Sequence, residues 1–334
     1  MAVSTSGWAG EAQAAQRTVS EMNEQGIANS LNALSKLEAA TAAVSPTGWA
    51  GLAEGVERTA RKMNEQGVAN TLNALSKLEA AAAVVSPVGW KRLAEAAERT
   101  VREMNEQGVA NSLNALCTLE AAAAVVSPVG WKRLAEAAER TASEMKPQEI
   151  ANSLNALSKL EAAAAVVSPL GWAGLAEAAE RTASQMKPQE IANSLNALSK
   201  LEAAAAAMSP TGWAGLAEAA GRTAGEMTPQ NVANTLNALC KLEAVSAAVS
   251  PVGWAGLAKA VERTASQMNE QGISNTLYAL GILPAASTEL SSSARKELEA
   301  AAEREAANMT SEGRWMTLQG CAKLKLRIPS ALSE

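Results

Sequence analysis

Asn29, Asn70, Asn111, Asn152, Asn193, Asn234 and Asn275 recur at one fixed spacing. Three residues after each stands a second polar position, filled by Asn32, Asn73, Asn114, Asn155, Asn196 and Asn237 and then by Tyr278. Lysine falls seven residues after the first asparagine at Lys36, Lys77, Lys159, Lys200 and Lys241. An amide donates and accepts at once, so with a cation beside it such a row can hydrogen-bond base edges and phosphates. On a continuous helix the spacing i, i+3, i+7 puts all three groups on one face. The structural reading of the first asparagine is that its side chain ties down the backbone of the neighbouring repeat, and we expect that role for it. For the second asparagine with its lysine we expect ligand contact. Lys91, Arg92, Lys132 and Arg133, in two "WKRL" stretches, add local positive charge and join the candidate nucleic-acid set.

An arginine row also runs the length of the chain, from Arg17 and Arg58 through Arg99, Arg140, Arg181, Arg222 and Arg263 to Arg304. Glu54 stands four residues before Arg58, the favourable orientation for a helical ion pair, so this row reads as a solvated, self-neutralising face. Trp8, Trp49, Trp90, Trp131, Trp172, Trp213 and Trp254 can in principle stack bases, but their place on an apolar stripe assigns them to the core.

Other chemistry is missing. The chain has no histidine, which removes the commonest general base and metal ligand. Cys117 and Cys240 share one slot, elsewhere filled by Ser or Gly, and Cys321 takes a leucine slot. They form neither a disulfide framework nor a zinc site. Carboxylates repeat identically along the chain, whereas an active site is one place; no enzyme and no cofactor are expected. A net charge of −5 runs against a nucleic-acid binder, although the acidic residues gather on one helix and leave the Asn-Asn-Lys face neutral to basic. No stretch reads as a membrane span, a secretory leader or a clear transit peptide, so the compartment stays open.

These rows follow from a repeat of 41 residues, marked by Met22, Met63, Met104, Met145, Met186, Met227, Met268 and Met309. A period of that length signals a stacked array. Each repeat reads as two helices. Ser45-Pro46 caps and starts the first, on which Trp49, Leu52, Val56, Ala60 and Met63 form an apolar stripe. A polar turn, spelled "NEQG", "KPQE" or "TPQN", leads into the second, whose stripe is Val68, Leu72, Leu75 and Leu78 before it runs on into alanines. The expected fold is an all-α solenoid of helical hairpins, with seven repeats over 4–290 and a divergent, more polar cap over 291–334. The start is almost in register at Ser4 with no cap, as in a piece of a longer array.

"VANTLNALSKL" (Val68 to Leu78), after its Gln-bearing turn, resembles the helix of the octotricopeptide repeat, matching at Ala69, Asn70, Leu72, Ala74, Leu75, Lys77 and Leu78. The resemblance covers essentially every repeat. It implies an α-solenoid that binds single-stranded RNA, in the family's case organellar transcripts in chloroplast or mitochondrion. The repeat here is a few residues longer, and Asn73 and its equivalents stand where that family has tryptophan. "NALSKL" is more weakly similar to the Ser-Lys-Trp-Pro repeats of bacterial effectors, which implies the alternative of a protein-interaction scaffold.

Overall fold

The computed structural model of the chain describes residues 19–332. Trp8, Arg17 and the opening of the first expected repeat lie outside that range. The described residues divide into two compact units, one of 19–145 and 156–171, the other of 146–155 and 172–332. Among the described residues every regular element is helical, and each unit is an α-α solenoid. In the first, the long helices Pro46–Thr59, Pro87–Thr100 and Pro128–Thr141 pack in series, and the second helices Glu24–Leu34, Glu65–Leu75 and Glu106–Leu116 pack in a parallel series. In the other, Pro210–Thr223, Pro251–Thr264 and Ser292–Glu305 form one series, and Pro188–Leu198, Pro229–Leu239, Glu270–Ile282 and Ser311–Leu324 the second.

Local chemistry explains each boundary. The Ser86 hydroxyl accepts from the Gly89 N–H at 2.9 Å, and Pro87 fills the first helical position, where its missing N–H is no loss. A 3₁₀ turn ends the long helix, and Met104 then turns the chain out with an extended backbone. The inter-helix turn is closed by two different chemistries. In "NEQG" the asparagine side chain caps the helix, Asn64 accepting from Gly67 N–H at 2.8 Å. In "KPQE" the cap runs backward, the Glu190 carboxylate accepting from the backbone N–H of Lys187 at 2.8 Å. Asn105→Ala should therefore cost about 1 kcal/mol, read as a shift in urea midpoint without a change in slope.

The second helix stops sooner than the pattern predicts. It ends at Leu75, and after a turn through Ser76 and Lys77 a short third helix runs Glu79–Ala82. Leu78, at φ −108° and ψ 75°, leaves the helical region. Its side chain is then almost fully buried. Apolar burial of that leucine favours the break over continued helix. Lys36, Lys77, Lys200 and Lys241 therefore lie in the turn beyond the helix and not on its face; the same holds for Lys159. The sequence does carry one trace of this break. Pro284 occupies the slot of Glu79 in the last full repeat, and a proline there starts a new helix and forces Leu283 before it out of the α region.

Trp49, Trp90, Trp131, Trp172, Trp213 and Trp254 sit in the core at 5–7% exposure. The repeating methionine does more than fill space, because its sulfur accepts from a buried hydroxyl eight residues on. Thr71 donates to Met63 at 3.6 Å, Ser112 to Met104 at 3.5 Å and Thr276 to Met268 at 3.5 Å. These contacts give buried hydroxyls a partner in an otherwise apolar core.

The arginine row overturns its expected role. Arg58 donates to the carbonyls of Met22 at 2.9 Å and Val19 at 3.0 Å. Arg99 reaches Met63 O at 2.9 Å, Arg140 Met104 O at 2.8 Å, Arg222 Met186 O at 3.2 Å, Arg263 Met227 O at 2.8 Å and Arg304 Met268 O at 2.7 Å. No ion pair joins Glu54 to Arg58 among the described residues. The guanidinium instead caps carbonyls that the 3₁₀ turn of the preceding repeat leaves open, a use its planar fork favours. A second tie comes from the glutamate before it. Ser86 donates its hydroxyl to Glu57 at 2.5 Å, Ser127 to Glu98 at 2.6 Å and Ser291 to Glu262 at 2.8 Å. Pro87–Thr100, Pro128–Thr141, Pro210–Thr223 and Ser292–Glu305 are thus each fastened to the repeat before them at both ends.

Candidate ligand-binding face

Burial leaves one line of the second helix uncovered. Val68, Ala69, Thr71, Leu72, Ala74 and Leu75 are buried. Gln66, Asn70 and Asn73, spaced by four and three, run down the opposite side. Gln66 is exposed, and the two asparagines are half-buried. The same three amides recur as Gln25, Asn29 and Asn32, and as Gln107, Asn111 and Asn114 in the first unit. In the second unit they recur as Gln189, Asn193 and Asn196, and as Gln230, Asn234 and Asn237.

The glutamine row was not anticipated. Its signal was present, since every spelling of the turn keeps Gln in its third place while the letters around it change.

Between successive second helices the amides line open clefts. One, of about 240 Å³, is walled by Gln25, Asn29, Lys62, Gln66 and Asn70. The next, of about 300 Å³, reuses Gln66 and Asn70 on one side and sets Gln107 and Asn111 opposite, with Glu65 and Glu103 at its rim. In the second unit Gln230 and Asn234 face Gln271 and Asn275, with no charged residue in the lining. The Gln66–Asn70 pair thus belongs to the clefts on both sides of it, as does Gln271–Asn275.

The first asparagine does not tie down its neighbour. Among the described residues no protein hydrogen bond reaches the side-chain amides of Asn29, Asn70, Asn111, Asn234 or Asn275, which face the clefts instead. Every fully buried side-chain nitrogen and oxygen among the described residues has a partner, so the unpaired amides are those that solvent or a ligand can reach. The second asparagine contributes its carbonyl to the fold: Ser76 and Cys117 donate to the carbonyls of Asn73 at 2.9 Å and Asn114 at 3.1 Å, closing the helix end. That explains why Ser and Cys alternate in one slot, since both supply a donor. Burial raises the pKa of Cys117 and Cys240, and burial with the nearby Glu299 raises that of Cys321 to about 11.

The candidate cations divide into two sets. Lys36, Lys77, Lys159, Lys200 and Lys241 are exposed in the turns at the far end of the amide line. Lys91 and Lys132 are exposed as well, the latter 3.8 Å from Glu136. Arg92 and Arg133 are used by the fold. Arg92 donates to Glu57 O at 3.0 Å and pairs with that carboxylate at 3.6 Å; Arg133 does the same with Glu98 at 3.2 and 3.4 Å. The face is less basic than its composition predicts, because Glu65 and Glu103 rim a cleft. At its end the amide line gives way to Tyr278, Glu312 and Met316. There the Tyr278 and Trp315 rings lie 5.5 Å apart at 42°, with Trp315 52% exposed. Among the described residues no group of three metal-ligating side chains occurs and no helix is long and apolar enough to cross a membrane.

Seven segments, 13–31, 52–72, 91–113, 132–154, 174–195, 216–236 and 256–277, match a repeat family described as "Protein of unknown function (DUF1601)". Those from 52–72 onward join the end of each long helix to the first part of the second, so they contain the arginine, the methionine, the glutamine and the first asparagine. No curated protein matches the chain. Among solved structures, a homology model of the full-length AP-3 complex in an intermediate open conformation is 11% identical, covering 94% of this chain and 70% of that one at a TM-score of 0.29. The pentatricopeptide repeat protein PPR10 from maize is 11% identical, covering 96% and 67% at a TM-score of 0.15. Both superpose only loosely.

Proposed function

We propose that this helical-repeat scaffold binds single-stranded RNA along the second helices, with bases toward the amide clefts and phosphates toward the lysine turns. The observation that carries the reading is the row of unpaired amides at Asn29, Asn70, Asn111, Asn234 and Asn275, lining clefts at whose far end stands a row of exposed lysines. Amides and lysines together suit a ligand that is hydrogen-bonding on one edge and anionic on the other. The resemblance of "VANTLNALSKL" to the octotricopeptide helix supports the same ligand. The long-helix arginines play no part, since the fold uses them. Residues 291–334 act as the closing cap of the array.

Fluorescence anisotropy with a random single-stranded RNA pool at ~50 and ~200 mM salt tests this, with the affinity expected to fall steeply as salt rises. Lys200→Ala with Lys241→Ala should flatten the log–log salt slope by about 0.7 per lysine. Absence of binding at both salts would overturn the proposal. A protein ligand is the second reading, and one observation favours it. Val84, Val88, Val125, Val129, Val166 and Leu170 of the first unit are exposed aliphatics, Leu170 at 84%. A complex on those residues would hold its affinity at the higher salt.

A further inference from the structure

Resting on the RNA reading, we infer that the clefts favour purines over pyrimidines, so that this array selects purine-rich runs. An unpaired side-chain amide offers a donor and an acceptor side by side, and it forms two bonds with any base edge that offers the complement. Single-stranded cytosine and uracil present such a pairing around one ring nitrogen. Adenine presents it twice, as N6–H with N7 and as the other N6–H with N1, and asparagine or glutamine on N6 and N7 is the standard pairing. The clefts between full repeats have amides on both walls, as where Gln66 and Asn70 face Gln107 and Asn111. A purine between them can be held on two edges at once, adenine as above and guanine through O6 with N1–H and N2–H with N3, which neither pyrimidine permits with amides alone. Guanine's O6 and N7 call for a cationic fork. Arg92, Arg99, Arg133 and Arg140 are not free to supply one, being bound to backbone carbonyls or carboxylates.

Two further features point the same way. Glu65 and Glu103 in the lining accept hydrogen bonds and give none, so they suit the amino-bearing bases adenine, guanine and cytosine and oppose the carbonyl edge of uracil. The Gln-Asn-Asn triad is also the same in consecutive repeats. A binder that reads a mixed sequence must vary its contacting side chains from repeat to repeat. Identical triads select a monotonous one.

The test is competition among labelled runs of ~20 adenines, cytosines and uracils on the full chain at one salt concentration. Adenine should bind at least tenfold tighter than uracil, with cytosine between. A companion variant, Asn70→Ala, Asn111→Ala and Gln107→Ala together, should weaken the adenine preference over uracil while the salt slope and the circular dichroism stay unchanged. Equal affinity for the three runs, or a preference that the variant leaves undiminished with its fold intact, would overturn the inference and leave RNA binding standing. Failure of all three runs and of the random pool would instead remove the RNA reading beneath it.

Discussion

Gly320→Ala should loosen the last hairpin by about 2 kcal/mol, the ordinary penalty for overpacking against a rigid neighbour. A β-carbon on Gly320 would stand 2.5 Å from both the carbonyl carbon and oxygen of Leu277. Those are backbone atoms within a helix, so they cannot swing aside as a side-chain end would. The equivalent slot in earlier repeats holds alanine, as in Ala238 and Ala279, each fully buried. Alanine is thus tolerated at the ordinary spacing of the second helices, and glycine lets Ser311–Leu324 approach Glu270–Ile282 more closely. Hydrogen exchange should show the loss confined to 292–324. Gly225→Ala is the control: nothing lies within 4 Å of its added β-carbon. It should be neutral or stabilise by about 0.5 kcal/mol through the unfolded chain.

Replacing Arg58, Arg99 and Arg140 together by alanine should destabilise the first unit by about 3 kcal/mol, near 1 kcal/mol for each guanidinium removed. The sites do not share partners, so the losses should add. A larger signature is expected in cooperativity. Stability of an array is the sum of weak repeats and the interfaces that couple them. These arginines act only at interfaces, joining residues 36 positions apart. Urea unfolding should therefore broaden, with a lower slope than wild type as well as a lower midpoint. Arginine-to-lysine versions should recover little, because one ammonium lacks the fork. A sharp transition of unchanged slope in the alanine variant would show that the fork is ornamental to coupling.

Most of the architecture was legible because its signals are local. Ser-Pro before each long helix, the polar turn and the leucine spacing all act within a few residues, and the unbroken period of 41 multiplied each signal. What escaped was non-local or unmarked. Nothing in Lys77-Leu78-Glu79 announces a break, because it follows from where Leu78 must be buried; only Pro284 gives it away. The arginine's partners are backbone carbonyls in another repeat, invisible to any reading of side-chain pairs, so the nearby glutamate looked like its mate. The candidate face was half seen. Its asparagines were found, but the glutamine that completes the line sat in what read as a mere turn, and two of the four supposed "WKRL" cations belong to the fold.

The arginine and serine fastenings between repeats run one way. Arg99 and Ser86 belong to the later repeat, and their acceptors, Met63 and Glu57, belong to the earlier one. On a ribosome the earlier repeat emerges first. Each newly made long helix thus meets acceptors that are already in place, and within each unit docking can keep pace with synthesis, one hairpin at a time.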